Sequence, residues 1–407
     1  MKRVMLVCLL TVVMYCHCQD VLSKRFTPFY IISDAPRQRS QENSIRGFSP
    51  DDIKSFYGFS TSMTAGSGSV ISIVAAYESN SIEEELEVYS RQFGLPSCTT
   101  LNGCFKKVGQ NGSSVNIPID PKGSWLPEIS LDVQIAHAIS PGARILLVLA
   151  NSDTVADMLV AIQYAKLNSN YVSMSFGFEE TPDQLSLENI FVQPGVSFFA
   201  ASGDSGATVY YPSSSPNVVA VGGTTISITS NRINETGWIL SGGGQSKYSS
   251  PNRIQQKHNL VKNFLAKNPS SGRLIPDVSF IADPQTGMAI YTNKKWQVMG
   301  GTSASCPILA ARASQTGTVV NAEFLYNSSL LFRDITVGRS VSTFKSSDVN
   351  NCYVGYDLVT GLGSWIEPDV LNATFRNSAI VSSKSSTLNQ VNVVNVFIVM
   401  CTIILFL

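Results

Sequence analysis

Runs of consecutive apolar residues, each of strand length, alternate with helix-like segments along the middle of the chain. This pattern predicts alternating strands and helices. The predicted strands are residues 70–76, 143–150, 171–176 and 196–201. The predicted helices are residues 82–93, 128–138 and 153–167, with an earlier helix capped by Ser49 and a later one opened by Thr181-Pro182.

Strands that are apolar throughout are buried on both faces, which is typical of a parallel sheet covered by helices on each side. We therefore expect an α/β fold whose ligands bind beyond the carboxyl ends of the strands. The predicted folded domain spans residues 48–375. Residues 19–47 are polar and lack periodicity, which predicts a linker or a short pro-segment.

Both ends of the chain are hydrophobic. Residues 1–18 combine a basic start with a short apolar run, as in a cleaved signal peptide; the alternative is an N-terminal membrane anchor, although the run is shorter than the ~20 residues of a span. A Ser-rich spacer, residues 376–390, precedes a hydrophobic tail, residues 391–407. This order predicts a GPI-attachment signal, with a membrane anchor as the alternative.

The composition narrows the classes of function. The 407 residues carry 29 basic and 29 acidic side chains, so nothing suggests the basic surface of a nucleic-acid-binding protein. The low charged fraction, 14%, is typical of an extracellular surface. If the protein is secreted, four sequons become candidate glycosylation sites, at Asn111, Asn234, Asn327 and Asn372.

The cysteines fit an oxidising compartment. Four of the eight lie in the two end segments, and Cys98 and Cys104 are close enough in sequence to form a short disulfide loop. Cys306 and Cys352 are either buried thiols or a second pair. No Cys-x-x-Cys spacing indicates a zinc site.

A candidate nucleophile lies in Gly300-Gly301-Thr302-Ser303-Ala304-Ser305-Cys306-Pro307. A serine behind glycines at the start of a helix can present its hydroxyl, and the helix N-terminus favours developing negative charge. A serine nucleophile needs a base. The chain has only three histidines: His17 is in the predicted signal peptide, His137 is predicted to be structural, and His258 lacks the following glycine of a catalytic His-Gly segment.

Two carboxylates offer a substitute for the missing histidine. Glu128 and Asp132 are four residues apart on one predicted helical face, among strongly apolar neighbours. Burial and mutual repulsion would separate their pKa values, so that one holds a proton while the other accepts one. A solvated helix surface is the alternative interpretation of such a pair.

These residues resemble the sedolisin family of serine-carboxyl peptidases, which has a subtilisin-like fold and includes tripeptidyl peptidase I. The resemblance implies Ser303 as nucleophile, Glu128 as general base, Asp132 as its support, and Asp204 as the acid in the oxyanion hole. Asp204 lies in Gly203-Asp204-Ser205-Gly206, where a trypsin-like nucleophile at Ser205 is rejected because Ala207 follows and the strand is parallel. Residues 172–177 resemble the strand that pairs with substrate.

The same resemblance implies one structural Ca²⁺. Asp334 and Asp357 would supply carboxylates, and Ile335, Tyr353 and Gly355 would supply carbonyl oxygens. Tyr353 stands where the family commonly has glycine, but a backbone ligand does not depend on its side chain. A solvated acidic loop is the alternative.

The expected function is peptide-bond hydrolysis at acidic pH, on peptide or protein substrates, in the secretory pathway, a lysosome-like compartment or at the cell surface. Sedolisins are normally made with a large folded pro-domain, whereas fewer than thirty residues separate the predicted signal from the catalytic region here. The alternative is therefore a catalytically silent, surface-anchored peptide-binding homologue. Endopeptidase or tripeptidyl-peptidase action, side-chain preference and oligomeric state are left open by the sequence.

Overall fold

The computed structural model describes residues 20–33, 45–113, 116–229, 232–328 and 331–367. The predicted signal peptide, Ser-rich spacer and hydrophobic tail, with Asn372, lie outside these ranges. Within them, every helix is too short or too polar to cross a bilayer.

The helices alternate with strands in the first two thirds of the described chain. The α-helices are α1 (Pro50–Tyr57), α2 (Ile82–Gln92), α3 (Trp125–Ile139), α4 (Val155–Asn168), α5 (Arg253–Lys257), α6 (Asn259–Lys267), α7 (Thr302–Thr316) and α8 (Ala322–Asn327), and 3-10 helices span Pro182–Phe191 and Pro284–Thr286. The strands are β1 (Thr27–Pro28), β2 (Ile31–Ile32), β3 (Val70–Ala76), β4 (Phe105–Gly109), β5 (Arg144–Ala150), β6 (Tyr171–Met174), β7 (Phe176–Glu179), β8 (Ser197–Ala201), β9 (Tyr210–Tyr211), β10 (Val219–Thr229), β11 (Arg232–Gly237), β12 (Gly244–Gln245), β13 (Leu274–Ile275), β14 (Val278–Ile281), β15 (Met288–Thr292), β16 (Lys295–Gly300), β17 (Phe332–Arg333), β18 (Arg339–Val341), β19 (Val349–Asn351) and β20 (Ser364–Trp365).

The central sheet has the order β11-β10-β8-β6-β3-β5-β4, and β14 also pairs with β10. Every pairing in it is parallel except β10 with β11. Six consecutive residues of β3 are buried, so both faces of this strand are covered. The predicted parallel α/β sheet is therefore confirmed, and β3 has the bounds expected from its apolar run.

Two predicted elements differ in the structure. The predicted strand 171–176 divides at Ser175 into β6 and β7, because the backbone turns out of the central sheet to pair with β1 and β9. The segment opened by Thr181-Pro182 is a 3-10 helix. The Gln184 side chain, in its first turn, donates hydrogen bonds to the hydroxyls of Ser214 and Ser249. These side-chain hydrogen bonds stabilise the short 3-10 helix, which needs no periodic apolar face.

Helices α3 and α7 pack against each other and against the central sheet. All but one residue of α3 is buried, so this helix has no solvated face and both of its carboxylates are removed from water. Gly301 begins α7 with φ of 99°, and a Cβ there would lie 2.1 Å from the Phe29 carbonyl oxygen. Only glycine fits this entry to the helix.

The N-terminal segment 20–33, expected to lack regular structure, packs on the domain. Strand β1 pairs antiparallel with β7, and β2 pairs antiparallel with β16. Val21, Phe26 and Phe29 are buried in the hydrophobic core. The sequence pattern missed this packing because the paired stretches are only two residues long and show no period.

The predicted disulfide between Cys98 and Cys104 is present. Cys306 and Cys352 are separate buried thiols, which decides between the two alternatives that the sequence left open.

A buried ion pair holds the chain just before β14. Arg273 donates to both carboxylate oxygens of Asp277, and the Tyr326 hydroxyl donates to Asp277 Oδ1 at 2.7 Å. Both members of the pair are almost fully buried, with side-chain exposures of 1% and 0%. Such a pair is costly to break because the remaining charge stays buried without a partner.

We expect Asp277→Ala to lower the free energy of unfolding by about 3–5 kcal/mol, because Arg273 loses its counter-charge. Chemical denaturation, followed by tryptophan fluorescence, measures the change. Asp348→Ala is the matched control, since Asp348 pairs with Lys345 at the exposed surface, and it should leave the unfolding midpoint almost unchanged. Equal effects of the two substitutions would contradict the role given to Asp277.

Candidate active site

Ser303 lies in the first turn of α7, with its side chain buried at the contact with α3. Its hydroxyl donates to Glu128 Oε2 over 2.9 Å, and the Ser175 carbonyl oxygen lies 3.2 Å from the same hydroxyl. The helix start places the Ser303 backbone N–H, which has no partner within α7, beside its own hydroxyl. A hydroxyl, a carboxyl group and an amide donor that is not used within the helix therefore meet at one point.

Glu128 and Asp132 lie one turn apart on α3 and are 1% and 0% exposed. Burial raises the pKa of both carboxyls well above the ordinary value, and repulsion from Asp132 raises that of Glu128 further. The Ser175 hydroxyl donates to Asp132 Oδ1 over 2.7 Å. Glu128 Oε1 and Asp132 Oδ2 meet no N–H or hydroxyl donor among the described residues. A proton held between the two carboxyls, which hydrogen-bond each other, satisfies both oxygens.

Asp204 follows β8, at the carboxyl end of a central parallel strand, where ligands of such sheets bind. The backbone N–H and the hydroxyl of Thr302 both donate to Asp204 Oδ1 at 2.8 Å. The other oxygen, Oδ2, is buried and has no partner in the part of the chain that the structure describes. Burial raises the pKa of Asp204 to about 7. At acidic pH the carboxyl is neutral, and Oδ2 can donate a hydrogen bond.

The described histidines serve other contacts. His137 Nε2 lies 2.9 Å from the Pro96 carbonyl oxygen, and burial lowers the pKa of its ring to about 4. The ring also lies close to the sulfurs of Cys98 and Cys104. Those sulfurs are joined in a disulfide and are not thiolate ligands, so the cluster does not fit a metal ion.

The predicted calcium ligands come from two segments, residues 334–335 and 353–357, which contact each other. The backbone N–H of Gly355 donates to Asp334 Oδ2 at 2.8 Å, and that of Tyr353 donates to Asp357 Oδ2 at 3.2 Å. Asp357 is fully buried, and burial raises its pKa to about 7. The ion pairs of the described residues include neither Asp334 nor Asp357. Two carboxylates without a cationic partner, the buried Asp357 and the exposed Asp334, fit a hard cation.

The cleft in front of Ser303 is occupied by the protein's own segment 25–33. The Ser303 N–H donates to the Phe29 carbonyl oxygen at 3.1 Å, and the Phe29 N–H donates to the Ser175 carbonyl oxygen at 3.1 Å. Thr27 and Pro28 pair with Gly177 and Phe176 of β7, within the region that the sequence predicts to pair with substrate.

Sequence reasoning missed Ser175, Thr302 and the N-terminal segment as parts of this site. Ser175 and Thr302 stand beside predicted site elements, but their roles depend on side-chain direction, which no spacing reveals. The apolar and aromatic residues within 20–33, such as Phe26 and Phe29, are a signal that could have indicated packing of this segment.

Comparisons with known proteins agree with this geometry. A model of the subtilase family (Peptidase_S8) matches residues 121–323. Kumamolisin of Bacillus sp. (strain MN-32) is 30% identical over 82% of this chain and 65% of its own length. Sedolisin of Pseudomonas sp. (strain 101) is 26% identical over 80% of this chain and 59% of its own length. The chain thus spans somewhat less than two thirds of the length of these relatives.

A solved structure of Pseudomonas sedolisin, described as a serine-carboxyl proteinase complexed with two molecules of pseudo-iodotyrostatin, superposes with a TM-score of 0.65. It is 26% identical and matches 84% of this chain and all of its own. With the kumamolisin and sedolisin matches, this shows that the chain belongs to the sedolisin family and has a subtilisin-like α/β fold.

Proposed function

We propose that the protein is a serine-carboxyl peptidase that hydrolyses peptide bonds at acidic pH through an acyl-enzyme on Ser303. The observation that carries the proposal is the 2.9 Å hydrogen bond from the Ser303 hydroxyl to Glu128, with Asp132 buried one turn away. A hydroxyl becomes nucleophilic when a positioned base takes its proton during attack.

In the proposed reaction, Ser303 Oγ attacks the carbonyl carbon of the substrate while Glu128 accepts the hydroxyl proton. The proton that the pair shares moves to Asp132 as Glu128 accepts the hydroxyl proton, so that Glu128 carries only one proton at a time. The Ser303 N–H and the neutral Asp204 carboxyl donate hydrogen bonds to the developing oxyanion. Glu128 then returns the proton to the leaving amine, and water hydrolyses the ester by the reverse sequence.

A second candidate is the silent peptide-binding homologue. The occupied cleft favours it, because a segment that stays in place would block substrates. The two candidates differ in whether the serine reacts. A fluorophosphonate reagent that labels Ser303 in the wild type and fails with Glu128→Gln would support the enzyme, whereas a chain that binds peptides without labelling would support the silent homologue.

We infer further that one Ca²⁺ binds to Asp334 and Asp357 and to the carbonyls of Ile335, Tyr353 and Gly355. Calcium would neutralise the two carboxylates and hold the loop of residues 353–357 in place.

Three other expectations stay predictions from the sequence: secretion, a lipid or membrane anchor, and glycosylation at the exposed residues Asn111, Asn234 and Asn327. The disulfide between Cys98 and Cys104 supports an oxidising compartment.

Ser303→Ala should reduce kcat on an unstructured protein substrate by at least about 10³-fold, because the attacking oxygen is removed. The rate of product formation at acidic pH, followed by mass spectrometry, measures the change in kcat. Ser205→Ala is the matched control: the Ser205 hydroxyl accepts a hydrogen bond from Tyr210 and belongs to the rejected trypsin-like motif. It should retain activity within a few-fold. Loss of activity in the control alone would reverse the assignment of the nucleophile.

Activity should fall as the pH rises through about 7, the pKa to which burial raises Asp204. Only the protonated Asp204 carboxyl can donate a hydrogen bond. Because deprotonation removes this donor, kcat/KM should fall roughly tenfold for each pH unit above that value. Asp204→Asn keeps an N–H donor at every pH, and its profile should extend to alkaline pH. If the activity of Asp204→Asn fell over the same alkaline pH range as that of the wild type, a group other than Asp204 would cause the fall.

Removal of calcium with EGTA should lower the melting temperature by about 3 °C or more, because a ligand that binds only the folded state stabilises it by ~2.7 kcal/mol at a hundredfold excess over Kd. Added Ca²⁺ should restore the transition in the wild type. Asp334→Asn should not respond to either treatment. If EGTA left the melting temperature of the wild type unchanged, the calcium site would be refuted.

A further inference from the structure

Ser175 stands at the break between β6 and β7, where the backbone leaves the central sheet. It is fully buried, and it contacts two members of the candidate active site. Its carbonyl oxygen lies 3.2 Å from the Ser303 hydroxyl, and its own hydroxyl donates to Asp132 Oδ1 at 2.7 Å. One residue therefore bridges the proposed nucleophile and the carboxyl that supports the proposed base.

The Ser175 hydroxyl has more than one acceptor within reach, and Asp132 is the stronger one. The Ser303 carbonyl oxygen also lies near it, at 3.4 Å. The carboxyl oxygen is closer, and a hydrogen bond to an ionised acceptor is roughly twice as strong as one between neutral groups. The hydroxyl proton of Ser175 is therefore directed to Asp132.

The oxygens of the Glu128–Asp132 pair then have separate partners. Asp132 Oδ1 accepts a hydrogen bond from Ser175, and Glu128 Oε2 accepts one from Ser303. The remaining two, Glu128 Oε1 and Asp132 Oδ2, meet no other donor among the described residues. This division leaves those two oxygens for the proton that the carboxyls share.

The Ser175 hydroxyl favours negative charge on Asp132 rather than on Glu128. A donated hydrogen bond stabilises the ionised form of a carboxyl more than its neutral form. Burial raises the pKa of Asp132, and the hydrogen bond from Ser175 opposes that rise. Burial and repulsion from Asp132 raise the pKa of Glu128. When the pair holds one proton, the proton therefore lies on Glu128 and the charge on Asp132.

The titratable groups around the pair are neutral or acidic. Cys306 faces Asp132 from α7, and burial raises the pKa of its thiol to about 12, so the thiol stays neutral. Asp204 and Tyr30 lie within electrostatic reach of Glu128, and neither is a cation. The ion pairs within the described ranges include neither member of the pair. The charge on Asp132 therefore depends on a neutral donor.

We propose that Ser175 is a positioning residue of the proposed peptidase: its hydroxyl holds Asp132 ionised, which keeps the pair able to accept the Ser303 proton at low pH. This inference rests on the proposed function. As Ser303 Oγ attacks, its proton passes to Glu128 Oε2, and the proton on Glu128 Oε1 moves to Asp132 Oδ2. Ser175 keeps its own proton throughout.

The first experiment measures kcat/KM of wild type and Ser175→Ala on an unstructured protein substrate across the acidic pH range. The acidic midpoint is the pH at which kcat/KM falls to half of its maximum on the acidic side, where the pair takes up its second proton. Without its donor, Asp132 binds that proton at higher pH. The acidic midpoint should rise by about one pH unit, since a hydrogen bond to a charged group exceeds a neutral one by about that amount.

The shape of the profile separates positioning from a structural role. The alkaline fall in activity, which is assigned to Asp204, should not move in Ser175→Ala. A loss of packing alone would lower activity by the same factor at every pH. An unmoved acidic midpoint in Ser175→Ala would overturn the proposal.

Ser130→Ala is the matched control. The Ser130 hydroxyl donates to a buried carboxylate, Glu85 Oε2, at the same distance of 2.7 Å. Ser130 precedes Asp132 by two residues on α3 and so projects from the opposite side of the helix. The control should lower the melting temperature but leave the acidic midpoint within about 0.3 pH unit of the wild type. A shift as large as that of Ser175→Ala would show that the effect is not specific to Asp132.

A second variant and a second readout cover poor folding or weak turnover of Ser175→Ala. Ser175→Cys keeps a side chain of similar size with a weak donor, so its acidic midpoint should lie between those of wild type and Ser175→Ala. The rate at which a fluorophosphonate labels Ser303 should show the same order without a peptide substrate. Melting curves confirm that each variant is folded. A Ser175→Cys midpoint equal to that of the wild type in both assays would contradict the inference.

The same data separate this inference from the proposed function. If the wild type digests the substrate and Ser303→Ala does not, while the Ser175 variants keep the wild-type midpoint, the inference fails and the peptidase stands. If the wild type neither digests the substrate nor is labelled at any pH, both proposals fail.

Discussion

Glu128 and Asp132 are removed from water one helical turn apart, and two carboxylates so placed cannot both be ionised at low energetic cost. A shared proton is the least costly arrangement, and each carboxyl has one buried oxygen without a donor among the described residues. The pair then has one site that accepts a proton, and the Ser303 hydroxyl lies against it. In the proposed mechanism, this pair of acids therefore does the proton transfer that a histidine does in other serine peptidases.

The packing of the surrounding helices explains why Glu128 and Asp132 are out of contact with water. Helix α3 is buried almost all round, so its carboxylates have protein on every side, and α7 packs on it to bring Ser303 within hydrogen-bond reach. Asp204 reaches the same point from the end of β8 and is fixed by Thr302, the residue before the nucleophile. A change in how α3 packs on α7 would therefore disturb base, nucleophile and oxyanion donor together.

The N-terminal segment, residues 25–33, occupies the cleft in front of Ser303. The same backbone groups that would bind a substrate, the Ser175 carbonyl and the Ser303 N–H, are both engaged by Phe29. A side chain at Gly177 or at Gly301 would collide with Phe29. Residues 25–33 therefore occupy the backbone donors and acceptors that the proposed reaction would use.

The sequence by itself determined the parallel sheet, the disulfide between Cys98 and Cys104, and the candidate residues Ser303, Glu128, Asp132 and Asp204. Runs of apolar residues carry the information on the sheet, because burial repeats along the chain, and the resemblance of the motifs to the sedolisin family carries the candidate residues. The free state of Cys306 and Cys352, the contacts of Ser175 and the place of residues 25–33 were decided only by the tertiary structure. Each of these depends on which groups from distant parts of the chain meet in space, and a two-residue strand is too short to show a period.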